Sequence, residues 1–101
     1  MVGDMNREKI VKSSATALNS VFSFAEFVAV TERFVAKVNG EFQEQYDRAW
    51  FEMEVVNSLA LAEWEQDGSP REWDNVWSKK YKEEASETLF CFLEVVKKLP
   101  D

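Results

Sequence analysis

The chain has no histidine, one cysteine, three glycines and two prolines among its 101 residues. Each scarcity removes something. Without histidine there is no Ser-His or Cys-His nucleophile pair, no imidazole acid–base group and no imidazole-containing metal site. A single cysteine, Cys91, allows neither an intrachain disulfide nor a thiolate zinc cage. Flanked by Phe90 and Phe92, it reads as a small buried hydrophobe. Three glycines, none in the required spacing, make no phosphate-cradling loop. So little glycine and proline also means few turns, hence long helices rather than a sandwich or barrel. No apolar run, Phe27–Val30 among them, is long enough to span a bilayer. The first residues lack the charged-then-apolar layout of a secretory signal. A soluble cytoplasmic chain, with no membrane contact, is expected, and a lone thiol suits a reducing compartment.

What the chain does have is apolar and aromatic content of 46% and 14%, too rich for disorder. Its length fits one domain, 1–101. Its patterning predicts an all-α antiparallel bundle of about four helices, roughly 5–21, 24–39, 41–67 and 70–99. Asp4 is a candidate cap for the first helix, in which Ile10, Ala17 and Val21 form one row and Val11, Leu18 and Phe22 another. The second is signalled by Ser23-x-x-Glu26, the spacing of a capping box, with Phe22 and Phe27 as its hydrophobic staple. Its stripe runs through Phe24, Phe27, Val28, Thr31, Phe34, Val35 and Val38, and Asn39-Gly40 closes it. A second box, Ser69-x-x-Glu72 with Pro70 at the first helical position, predicts that the fourth helix follows Gly68 directly. That makes a long hairpin of the third and fourth helices. The fourth carries a heptad-like row, Tyr81, Ala85, Thr88, Phe92, Val95 and Leu99, before Pro100 stops it.

The net charge of −7 lies wholly in residues 41–67, which hold eight acids and only Arg48 in opposition; the remaining 74 residues are balanced. On a helical wheel this segment divides into four strips. The main apolar strip is Phe42, Tyr46, Ala49, Trp50, Met53, Val56, Ala60, Leu61 and Trp64, with Asn57 inside it. A narrower one, Phe51, Val55, Leu59 and Ala62, lies opposite. Acids occupy the shoulders: Glu41, Glu52 and Glu63 on one, Asp47, Glu54 and Glu65 on the other, kept in line by spacings of eleven. Two apolar strips need two partners. Either the helix is sandwiched within one chain, or the second strip faces another molecule. Asn57 reads as a buried polar group bonded to a neighbouring helix or water. Trp64, Trp73 and Trp77 gather at the Gly68 turn, as core or as a binding patch.

Carboxylates remain as possible Mg²⁺ ligands. The runs Glu83-Glu84-x-x-Glu87 and Glu41-x-x-Glu44-x-x-Asp47 have spacings similar to the metal-holding helices of all-α nucleotide pyrophosphohydrolases. Their order is reversed and the rest of that pattern is missing, so a solvated charged face is the better reading. No enzyme activity, cofactor or metal is expected. Direct nucleic-acid binding is disfavoured, since the acids repel phosphate and the one lysine group, Lys79, Lys80 and Lys82, sits beside Glu83 and Glu84. The leading expectation is a small acidic binding protein that inhibits or chaperones a basic protein partner. Immunity proteins, antitoxins and DNA mimics are analogies of charge and size alone. Its binding residues would be Glu41, Glu52, Glu54, Glu63 and Glu65, with Phe51, Val55, Trp64 and Trp73 as apolar anchors. The alternative is a homo-oligomeric structural or assembly subunit, paired through Phe51, Val55, Leu59 and Ala62.

Overall fold

A computed structural model describes residues 7–35 and 41–98, without the side chains of residues 33–35 and Glu41. All regular structure among them is helical: α1 (Arg7–Ser13), a 3-10 turn (Ser14–Thr16), α2 (Val21–Val35), α3 (Glu41–Gln66), a short α4 (Asp74–Val76), a π-helical stretch (Trp77–Tyr81) and α5 (Lys82–Lys98). The last three run on without a break. No helix among the described residues is long and apolar enough to cross a membrane. The expectations for Asp4, Phe34, Val35, Val38, Asn39-Gly40, Leu99 and Pro100 lie outside the residues or side chains described.

The first helix is shorter than predicted. Four consecutive small residues, Ser13-Ser14-Ala15-Thr16, interrupt it. The Ser14 hydroxyl donates to the Val11 carbonyl at 2.6 Å and the Thr16 hydroxyl to that of Ser13 at 3.5 Å. Such bonds offer the backbone an alternative to the α ladder and tighten it into a 3-10 turn. Of the predicted rows, Ile10, Ala17 and Val21 are buried, with Val21 now in α2, whereas Val11 and Phe22 are exposed and Leu18 is half-buried.

The second helix begins at Val21, three residues before its predicted start at 24. Ser20, not Ser23, is the cap. Its carbonyl takes the first helical bond, from the Phe24 N–H at 3.1 Å, and its hydroxyl accepts the Ser23 N–H at 3.1 Å. The earlier start buries Val21 and sets the Phe22 ring edge-on to Trp64, 5.4 Å away.

At the other end, Ser69 does not start the fourth helix. It finishes the third. The Ser69 N–H reaches back to the Trp64 carbonyl and the Gly68 N–H to that of Glu65, both at 3.0 Å. This is a Schellman closure, with Gly68 at φ 94° and Ser69 itself at φ 54°. Two indoles then pin the loop: Trp64 donates to the Pro70 carbonyl and Trp73 to Asp67 Oδ2, each at 2.8 Å. Regular helix resumes only at Asp74, and Pro70 is not its first residue. Replacing Ser20 with alanine is expected to cost about 1 kcal/mol of stability. Ser69→Gly, which relieves a left-handed serine, is expected to cost nothing or to stabilise slightly. Urea denaturation of the two variants checks this, and a capping role for Ser69 would reverse their order.

The long hairpin is present. Tyr81 reaches Glu63 near one end of α3, while Cys91 and Val95 lie beside Gln45 and Ala49 near the other. α2 also runs antiparallel to α3: Trp50 Nε1 donates to the Val28 carbonyl at 2.9 Å, and the Tyr46 hydroxyl to that of Thr31 at 2.9 Å. The core lies between these helices. Phe92 meets the edges of Tyr46 and Phe27, at 5.0 and 6.0 Å. The face that α5 buries is Ala85, Leu89, Phe92 and Val96. That face is rotated from the predicted row, leaving Tyr81, Thr88 and Val95 half-buried. Trp77, fully buried, packs on Phe24 and Tyr81 and donates to the Leu18 carbonyl at 3.0 Å, which ties the turn after the 3-10 segment to the core. α1 docks on α5, where Arg7 donates to the Lys97 carbonyl at 3.4 Å.

Candidate partner-binding face

α3 has 26 residues, about 39 Å of helix at 1.5 Å per residue. That nearly matches the 41 Å long axis of the fold. Its main strip is spent on the core: Tyr46, Ala49, Met53, Val56 and Ala60 are buried, and Phe42, Trp50, Leu61 and Trp64 pack against them. Among the described residues nothing comparable covers the opposite strip. Phe51 is 60% exposed, Val55 42% and Leu59 57%, and Ala62 is exposed as well. No described element sandwiches the helix from that side. α2 and α5 together cover one side of it and leave the other to solvent.

The acids differ in their freedom. Glu52 and Glu65 are exposed. Glu44, also exposed, sits 3.8 Å from the equally exposed Arg48. Glu54 is half-buried and accepts from Asn57 Nδ2 at 3.3 Å and from the Ser58 hydroxyl at 3.1 Å. Asn57 itself is buried and bonds within its own helix rather than to a neighbouring one. Glu63 is tied down: Lys80 and the Tyr81 hydroxyl each donate to it at 2.6 Å. The side chain of Glu41 lies outside the description. So the side chains of Glu52 and Glu65 are exposed with no hydrogen bond or ion pair among the described residues, and Glu63 is a bundle fastener.

Two expected anchors are likewise internal. Trp73 is 4% exposed, its indole bonded to Asp67 and its ring stacked on Tyr81 at 6.0 Å. Trp64 is half-buried against Phe22, with its N–H satisfied at Pro70. A short hairpin turn needs several large side chains to close its end, and these two rings serve that need. Phe51 and Val55 are the expected anchors that stand at the surface.

Other exposed groups were not anticipated. Cys91 is exposed rather than buried. With Ala49 and Val95 it forms the apolar part of an open groove of about 250 Å³ between α3 and α5, rimmed by Glu44, Gln45, Arg48 and Glu52. Phe90 is 65% exposed. Once Ala85, Leu89, Phe92 and Val96 define the inner face of α5, steps of 100° place residues 90 and 91 outside it. Three aromatic or thiol residues in succession hid that periodicity. Among the described residues no group of three acids or cysteines converges as a metal site.

The fastener shifts three titrations. Glu63 is held below the ordinary carboxylate value, first by the hydrogen bond from Lys80 and then by that from Tyr81. Lys80 is raised by the same hydrogen bond and by the carboxylate charge. Tyr81 is pushed up to about 12, chiefly because its proton is committed to Glu63 and secondly by burial. Tyr46 is also raised, by burial first and then by the Asp47 charge. A raised phenol favours the protonated folded state. Its contribution is complete below the ordinary tyrosine value and is lost as pH rises through the folded one. Ultraviolet absorbance of the folded chain is accordingly expected to show neither tyrosine ionised at pH about 10, where free tyrosine is half-ionised. Glu63→Gln returns Tyr81 towards the ordinary value and leaves Tyr46 where it was. Half a phenolate near pH 10 in the unaltered protein would contradict the arrangement.

No protein-family model, curated protein or solved structure matches this chain.

Proposed function

We propose that this is a small acidic binding protein that engages a basic protein partner through α3 and thereby inhibits or chaperones it. The observation that carries this is the uncovered strip Phe51, Val55 and Leu59 between the exposed carboxylates Glu52 and Glu65. Apolar side chains of this size gain roughly 1.5–3 kcal/mol each when fully withdrawn from water, so a cover of the strip is favoured. The charge selects the cover. All of the net −7 is on this segment, which attracts a basic surface and speeds its arrival at low salt.

The same strip also suits a second copy of the chain, the homo-oligomeric reading. Two α3 helices meeting there would bring their shoulder acids together with only Arg48 to offset them, and like charges facing across an interface oppose it. A basic partner satisfies both the apolar strip and its flanks.

Capture on immobilised protein, from extracts of the cells that make it, tests the reading. Proteins of high isoelectric point are expected to be retained at low salt and released as salt rises, because exposed ion pairs are screened within a Debye length of about 8 Å at physiological strength. Recovery of acidic or neutral proteins alone, with no salt dependence, would refute it.

A further inference from the structure

The shape of the α3 face restricts what kind of segment can lie on it. A partner strand needs unpaired backbone groups at a sheet edge. The regular elements described here are all helices, and their backbone bonds run within each helix. A proline-rich segment needs an open aromatic slot with donors to spare. All four indole N–H groups are already committed inside the chain, to Val28, Pro70, Asp67 and Leu18. A phosphorylated or acidic segment needs an arginine cluster, and this face is negative. What remains is a helix laid along a helix, anchored by apolar side chains at helical spacing.

Resting on the basic-partner reading above, we propose that the occupant is an amphipathic helix of about three to four turns, apolar on one face, with lysine or arginine on both shoulders. The length follows from the strip. Phe51 to Ala62 is eleven steps of a helix, about 16 Å. The crossing angle has two solutions. Phe51, Val55 and Leu59 form one i+4 ridge, which lies between i±4 ridges of a partner at about −50° or between its i±3 ridges at about 20°, and the shallower angle keeps the two axes together along more of the strip. Ala62, small and exposed, lets the partner backbone approach at that end. The two-sided basic requirement follows from the acids. Glu52 lies towards α5, and Glu54 and Glu65 towards α2. Glu52 and Glu65 are thirteen residues apart, about 20 Å, so bases confined to one end or one shoulder would leave half the charge unanswered. The groove at Ala49, Cys91 and Val95, next to Glu52, takes an apolar side chain from the partner's terminal turn.

The probe is a designed peptide of about four turns, leucine at i, i+3, i+4 and i+7 and lysine on both shoulders. Two controls accompany it: a scrambled peptide of identical composition, and one with glutamate for lysine. Calorimetric titration and the circular dichroism of the bound peptide are read against the full chain and its Leu59→Asp variant. The helical lysine peptide is expected to bind at least about tenfold more tightly than the scrambled one, gain helicity on binding, and weaken at least about tenfold against Leu59→Asp, since central apolar anchors carry most of such an interface. Equal binding of the scrambled peptide, binding without helix, or indifference to Leu59→Asp overturns the helical occupant and leaves the basic-partner reading standing. Preference for the glutamate peptide overturns both. Absence of measurable binding, or a dimer of the chain itself that Leu59→Asp dissociates, overturns the helical occupant.

Discussion

Trp77→Ala is expected to leave the protein close to unfolded at physiological temperature. Trp77 is wholly buried, and its ring packs on Phe24 at 5.6 Å and on Tyr81 at 6.5 Å. Removing a buried tryptophan side chain costs about 3–5 kcal/mol through lost transfer energy and the cavity left behind. The Leu18 carbonyl also loses the Trp77 indole as a donor, at about 1 kcal/mol or more. A domain of this length has about 5–15 kcal/mol in all. The corresponding fall in Tm is on the order of 20 °C. Trp77→Phe keeps most of the volume and loses the N–H, so it is expected to cost far less. Trp64→Ala, at a half-exposed site, falls between. Thermal and urea denaturation followed together by circular dichroism check the order. A cost below about 1 kcal/mol for Trp77→Ala would mean that the turn after the 3-10 segment and the π-helical stretch are not joined through this ring.

The second large effect is on binding and leaves stability alone. The double charge reversal Glu52→Lys with Glu65→Lys alters two exposed side chains, so folding free energy is expected to move by less than about 0.5 kcal/mol per site. Affinity for a basic partner is expected to fall about a hundredfold at low salt, mostly in the association rate, because long-range attraction acts before contact. Leu59→Asp is expected to weaken binding as much but through faster dissociation, because it removes an anchor that the partner would bury. Surface plasmon resonance at two salt concentrations separates the two. If both variants changed only the dissociation rate, the acids would be contact residues and not steering charges. If neither changed anything, α3 would not be the binding face.

These predictions rest on features that differed in how plainly the sequence wrote them. The α3 strips were legible because 26 consecutive helical residues give a wheel no ambiguity, and Phe51, Val55 and Leu59 fell opposite Met53 and Tyr46 as spacing requires. The helix ends were not. Ser23 and Ser69 both satisfy a three-residue spacing, but a cap is decided by which carbonyls and amides lack partners. At Ser69 the Schellman closure of α3 had already claimed its N–H. At Ser23 burial of Val21 favoured an earlier start. Trp64 and Trp73 illustrate a different limit. Aromatic residues near a turn look alike whether they close the bundle or greet a partner, and only their indole bonds to Pro70 and Asp67 distinguish the two. Glu63 reads as a free arm because no sequence pattern shows that the π-helical stretch brings Lys80 and Tyr81 to the same carboxylate. Wheel position alone says which way a charge points and nothing about what is waiting there.

The most direct test of α3 as the partner face is site-specific photo-crosslinking in the cells that make the protein. A photoreactive side chain is placed at Val55, and in a separate variant at Phe90, a still more accessible apolar site on α5. A discrete adduct with a basic protein is expected from Val55, lost when Glu52→Lys and Glu65→Lys are added, with no matching adduct from Phe90. An adduct from Phe90 alone, or a Val55 adduct made of two copies of this chain, would contradict α3 as the partner face.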